Sequence, residues 1–286
     1  MPISKHLHFL CLFIFVALAG CDTEFSPDVM VDFVAKLPGD LHESSALAVY
    51  DNILWSLNDS GNAPILFGFS KTGELLNTVK ISNVSNTDWE SLAHDDRYLY
   101  IADTGNNFNT RDRFEIYRVP LPDLDESTVN AEIISVSYPD RDSGYSLRHN
   151  YDAEAISIRN SELWLFTKNR DDGNTDLYRI PKTPGNYLLN KAQTLPVDSL
   201  VTGADINHQS NELALLTYGG SGFGEGSRVW WAPTSDEGVD WSQSYSISIG
   251  PSDQWEAIVW DGIDKMFLTH EESRQGFAGL SLLYKP

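Results

Sequence analysis

Beyond residue 28 the chain is a series of short apolar runs separated by polar turns rich in Gly, Asn and Asp. No stretch holds a helical spacing of apolar positions, and the Trp, Tyr, Phe, Val and Ile content suits strands. One pattern opens a strand five times: a small or acidic residue, a small residue, then an aliphatic one. It reads Ser44-Ser45-Ala46-Leu47, Trp89-Glu90-Ser91-Leu92, Ala153-Glu154-Ala155-Ile156, Gly203-Ala204-Asp205-Ile206 and Trp255-Glu256-Ala257-Ile258. Second strands are predicted at Ile53–Leu57, Tyr98–Ala102, Leu163–Thr167, Glu212–Thr217 and Lys265–Thr269. Third strands follow at Ile65–Phe69, Phe114–Val119, Asp176–Ile180, Arg228–Trp231 and Leu280–Tyr284. Fourth strands are predicted at Leu75–Ile81, Glu132–Ser137, Gln193–Val197 and Tyr245–Ile249. The fifth repeat stops short of a fourth strand, and Val31–Leu37 is free to supply it. A spacing of about 45 to 64 residues suits four-stranded blades. The expectation is an all-β, five-bladed β-propeller over residues 29–286, closed by its N-terminal strand joining the last blade. A β-sandwich would not need this repetition.

The first twenty residues have a different pattern. Lys5, His6 and His8 precede an unbroken apolar run from Phe9 to Ala19, which is short for a bilayer span and suits a signal-peptide core. The run ends Leu18-Ala19-Gly20-Cys21, which resembles the lipobox of bacterial lipoproteins. That resemblance implies cleavage after residue 20, a lipid on Cys21 and a tether over residues 21–28. It also implies export and a lipid anchor on the periplasmic or outer face of a bacterial membrane. Cys11 would leave with the signal peptide and Cys21 would carry the lipid, so disulfides and cysteine-ligated metals are excluded from the mature domain.

Charge narrows the partners. The formal charge is −21, and near −22 once Lys5 is removed. Such a surface repels nucleic acid and anionic headgroups and attracts divalent cations. No nucleic-acid partner is expected, and a monomer is.

In a propeller the inner strand of each blade lines the axis, so the repeat gathers its marked residues there. Aligned on the aliphatic residue, the ring reads Ser45, Glu90, Glu154, Ala204 and Glu256, with Asp205 beside the gap at Ala204. Asp88 and Asp152 lie two residues before their glutamates. Converging carboxylates are costly unless they are protonated or neutralised by a cation. With hard oxygens alone on offer, calcium is the expected ion, at Ser45, Glu90, Glu154, Asp205 and Glu256. The alternative is that each glutamate caps loop amides. The loops between second and third strands open on the same face and carry Asp59, Asp103, Arg111, Arg113, Lys168 and Arg170. Arg148 falls in another loop predicted for that face. Basic residues there suggest a small anionic ligand, or else they balance neighbouring aspartates such as Asp112, Asp171 and Asp172.

The run from Leu54 through Asn58-Asp59-Ser60-Gly61-Asn62, Thr87-Asp88-Trp89-Glu90 and Tyr100-Ile101-Ala102-Asp103 resembles a group of uncharacterised secreted bacterial propellers. Asp152-Ala153-Glu154-Ala155 and Val201-Thr202-Gly203-Ala204-Asp205 extend that likeness along the chain, which is also similar to SdiA-regulated and phytase-like propellers. Ser45, Glu90, Glu154 and Glu256 further resemble the axial calcium ligands of calcium-activated nucleotidases (apyrases), five-bladed propellers, and Ala204 departs from that pattern. Three functions follow as expectations. The first is a membrane-tethered, calcium-binding propeller with a loop-lined ligand face. The second is a calcium-dependent phosphohydrolase, with Asp59 or Asp103 orienting water and Lys168 or Arg111 stabilising charge. The third is a metal-dependent esterase or lactonase, for which only His208 and His270 are placed to help. No Gly-x-Ser-x-Gly elbow supports a serine hydrolase.

Overall fold

The computed structural model describes residues 29, 31–142, 144–220, 223–250, 254–272 and 276–286. The leader, Cys21 and the tether lie outside these residues. The described residues form five sheets, each with four strands paired antiparallel from an inner strand outward. Blade 1 comprises Ala48–Tyr50, Ile53–Leu57, Ile65–Phe69 and Leu75–Ile81. Blade 2 comprises Trp89–His94, Tyr98–Asp103, Phe114–Pro120 and Glu132–Ser137. Blade 3 comprises Ala153–Arg159, Glu162–Thr167, Thr175–Pro181 and Lys191–Leu195. Blade 4 comprises Leu200–Asn207, Glu212–Gly220, Phe223–Pro233 and Tyr245–Gly250. Blade 5 comprises Trp255–Trp260, Lys265–His270 and Gly279–Tyr284, and Asp32–Lys36 pairs antiparallel with the last of these to complete it.

The five inner strands touch in a closed ring, each against the next and the fifth against the first. The apolar core is divided accordingly into five clusters, one at each contact between neighbouring blades. Trp55, Leu66 and Trp89 pack between blades 1 and 2, and Leu216, Trp231 and Met266 between blades 4 and 5. Strand alternation explains this division: residues on both faces of a blade are buried, so each sheet packs against two neighbours. The axis itself is left to the side chains at the starts and ends of the inner strands.

Two blades carry a short fifth strand. Thr128–Val129 pairs parallel with the outer strand of blade 1, and Gly185–Leu188 with that of blade 2. Both segments come from the connection between the third and fourth strands of the following blade. They cover an edge that would otherwise present unpaired backbone groups.

Candidate functional site

Four inner strands begin with a bulge. The ladder to the second strand skips Glu90, Glu154, Thr202 and Glu256, each left unpaired between two paired neighbours. An extra residue at a bulge turns its side chain out of the ordinary alternation. In blade 1, Ser45 takes the corresponding place beside the Ser44–Asn58 bridge. The ring is therefore Ser45, Glu90, Glu154, Thr202 and Glu256. The sequence alignment put Ala204 in blade 4, two residues too late, and Ala204 lies in the core between blades 3 and 4. Both hydroxyl positions serve the next blade: Ser45 Oγ donates to Trp89 O at 2.9 Å and Thr202 Oγ1 to Trp255 O at 2.7 Å.

The acids meet in two overlapping groups. Carboxylate oxygens of Asp59, Asp88 and Glu90 lie within 4.8 Å of one another, and so do those of Glu90, Asp152 and Glu154. Glu90 belongs to both groups. It is 5% exposed, and its Oε1 has no hydrogen-bond partner. Burial, together with the charges of Glu154, Asp59 and Asp88, holds its carboxyl well above the carboxylate range. Burial and the charges of Asp59 and Asp152 push Asp88 up to about 7. Burial lifts Glu154 to about 8 against the pull of Lys168, and burial lifts Glu271 to about 7. Glu256 is raised too, by burial first and then by Glu154 and Glu271. At this end of the axis burial thus favours the protonated carboxyls over their ions.

The backbone of Gly105 runs against this cluster. A Cβ at Gly105 would collide with Glu90 Oε1 and with Asp88 Oδ2. The two oxygens therefore face the same small volume, and only glycine lets the loop pass it.

The other sequence candidates have their own partners. Asp103 is fully buried and accepts from Asp88 N at 3.0 Å and the Tyr117 hydroxyl at 3.0 Å. Arg111 lies 2.8 Å from Asp103 and also donates to Gly105 O at 2.7 Å. This pair braces the loop behind the cluster. Lys168 Nζ lies 2.6 Å from Glu154 Oε2, with both side chains buried, and sits over the Tyr218 ring at 4.9 Å. Burial works against its ammonium, yet Glu154, Tyr218 and Glu256 hold it well above the usual lysine range. Arg170 lies 2.9 Å from Asp152 and 3.4 Å from Glu154. Arg113 and Arg148 are exposed and pair with Glu115 and Asp171. Asp59 is half-buried, and burial raises its carboxyl.

Asp205 stands at the far end of the inner strands, away from both acid groups. Its Oδ2 accepts Trp260 N at 2.9 Å, and its Oδ1 accepts Ile206 N and the Ser157 hydroxyl. The same bridge recurs around the ring: Ser91 Oγ accepts Ile156 N, and Ser157 Oγ accepts Ile206 N. Asp205 is thus the blade 4 member of a set that joins neighbouring inner strands. With His94, His208 and Trp260 it borders a cavity of about 190 Å³ at that end. The His270 ring packs edge-on against Trp255.

Asp88 and Asp152 carry a signal in the sequence, an Asp two residues ahead of each ring glutamate, although the expected ligand set does not include them. The signal for Thr202 was hidden, because a bulge leaves no mark in an apolar–polar pattern.

No protein-family model matches the chain, and no curated protein sequence matches it. Several solved structures are similar to it at low sequence identity. An aldose sugar dehydrogenase from Streptomyces coelicolor, solved with bound PQQ, is 13% identical, with 91% of this chain and 99% of that one covered at a TM-score of 0.49. Glutaminyl cyclase from Myxococcus xanthus is 11% identical, covering 90% and 97% at 0.48. A 6-phosphogluconolactonase assignment from Bacteroides uniformis is 12% identical, covering 86% and 71% at 0.43. Likeness at this level assigns neither activity nor ligand. The blade count rests on the five sheets of the chain itself.

Proposed function

We propose that the protein is a divalent-cation-binding propeller, with calcium as the fitting ion, that presents a loop-lined ligand face over its acidic axis. One observation carries this reading: Glu90 Oε1 is buried and unpartnered where two groups of carboxylate oxygens overlap. A buried acceptor without a donor costs about 1–3 kcal/mol, and a cation removes that cost together with the repulsion around it. All the donors are oxygens. That set suits calcium, which takes six to eight oxygens in loose geometry, and is a poor match for zinc.

The lipobox-like Leu18–Cys21 completes the reading as a lipid anchor, placing the face outside the cytoplasm on a bacterial membrane. Among the described residues no helix is long and apolar enough to cross a membrane. Binding stands ahead of hydrolysis because the cations that a phosphohydrolase would use are already committed. Lys168, Arg170 and Arg111 each hold a buried carboxylate. The test is a calorimetric titration with calcium, magnesium and zinc, followed by assays for phosphate release and lactone opening on the loaded protein. Calcium binding that disappears in Glu90→Gln supports the reading. Absence of calcium binding overturns it, and turnover would replace simple binding with catalysis.

A further inference from the structure

We infer that the cation sits off the propeller axis, held by Asp59, Asp88 and Glu90, because Lys168 already serves as the counter-ion for the opposite half of the ring. This rests on the cation-binding reading above and assigns its position.

The two acid groups differ in what they already hold. In the group Glu90–Asp152–Glu154, Glu154 has Lys168 on Oε2 at 2.6 Å and Arg170 on Oε1 at 3.4 Å. Asp152 has Asn106 N on Oδ1 at 2.7 Å and Arg170 on Oδ2 at 2.9 Å. Both residues have cations or donors at each oxygen, so an added cation would have to displace Lys168 or Arg170 and leave that charge buried. Glu256 shares the field of the same ammonium. The group Asp59–Asp88–Glu90 is different. Asp59 accepts only the adjoining Ser60 N–H among its carboxylate contacts. Asp88 and Glu90 turn Oδ2 and Oε1 toward one volume beside Gly105, and Oε1 is empty of partners. Three carboxylates without a direct ion pair to a protein cation, one of them half-exposed, give an ion both negative charge and a side that reaches solvent. Ligands that calcium still lacks would come from water or from an anionic molecule on the open side.

The test compares charge-neutralising variants of the two halves by calcium calorimetry on the whole protein. Asp88→Asn and Glu90→Gln are expected to weaken calcium binding at least about a hundredfold, at or beyond the loss that removing an outer-shell partner brings. Glu256→Gln is expected to change it by no more than about threefold, as for a site outside the ligand set. Misfolding is controlled by melting. Asp88→Asn and Glu90→Gln should melt higher than the parent without calcium, since each removes a buried repulsion, and should lose the rise that calcium gives the parent. In a second variant, Lys168→Met, calcium should gain access to the Glu154 side and bind with a second equivalent. Equal losses in Glu256→Gln and Asp88→Asn would put the ion on the axis and overturn the inference while leaving cation binding intact. No binding by the parent would defeat cation binding itself, and the assigned position with it.

Discussion

A buried carboxylate needs a cation or several donors, and Asp103 has both. Its oxygens take the Asp88 and Thr87 N–H groups, the Tyr117 hydroxyl and Arg111. The same contacts fix the backbone of Asp88, one of the free acids in front. Arg111→Met would leave Asp103 as a buried charge without its counter-ion. The expected cost is about 3–5 kcal/mol in urea unfolding, with weaker calcium binding as Asp88 loses its support. A cost under about 1 kcal/mol would mean that solvent already screens the pair. Gly105 gives a second prediction at this scale. Gly105→Ala drives a methyl against Glu90 and Asp88, so overpacking should cost about 1–3 kcal/mol and calcium binding should fail. Gly39→Ala, with nothing near its Cβ position, is the control and should bind calcium like the parent.

At the scale of elements, the inner strands have two ends with different tasks. The bulged starts gather acids, whereas the far ends stitch one blade to the next through Ser91, Ser157 and Asp205. Asp205→Ala leaves Trp260 N without its acceptor and should cost about 1–3 kcal/mol. Asp205→Asn keeps an oxygen in place and should recover most of that loss. Calcium affinity should be unchanged in both, and a tenfold drop in either would return Asp205 to the ligand set. Much of this scale was legible in the sequence. Ile53–Leu57, Ile65–Phe69, Leu75–Ile81 and Glu132–Ser137 are strands with the expected bounds, because alternation and turn residues fix where such strands begin and end. The expected strand Gln193–Val197 is instead Lys191–Leu195, whose pairing with Thr175–Pro181 sets the register, and Pro196 has no N–H to extend it. The parallel edge strands are not legible in the sequence, because each pairs with a preceding blade and local pattern carries no information about a distant partner. Register was the missing quantity at the site as well. The bulges decide that Thr202 belongs to the ring, that Ala204 belongs to the core, and that Asp205 faces the other end.

At the scale of the whole molecule, the apolar stabilisation lies between blades, and the axis that they surround is acidic at one end. The folded state therefore forms around a charge that it does not itself fully neutralise. Asp88, Glu271 and Glu154 titrate near 7, 7 and 8 in the folded protein because burial disfavours their ions. In the unfolded chain such groups titrate near about 4. Between about pH 4 and 8 the native state then holds more protons than the unfolded state, so unfolding free energy falls as pH rises through that window. Protein stripped of metal by a chelator should melt at a higher temperature at pH 5 than at pH 8. Calcium should act in the opposite sense, because it binds the ionised carboxylates and only the native state assembles them, so its stabilisation grows toward pH 8. With calcium in excess the melting temperature should thus become nearly flat across the same range. If the metal-free protein instead gained stability up to pH 8, the ring acids would be ionised and already matched by Lys168 and Arg170. Lys168 and Arg170 would then serve the whole acidic end, the Asp59–Asp88–Glu90 group included, and a bound cation would meet no uncompensated charge there.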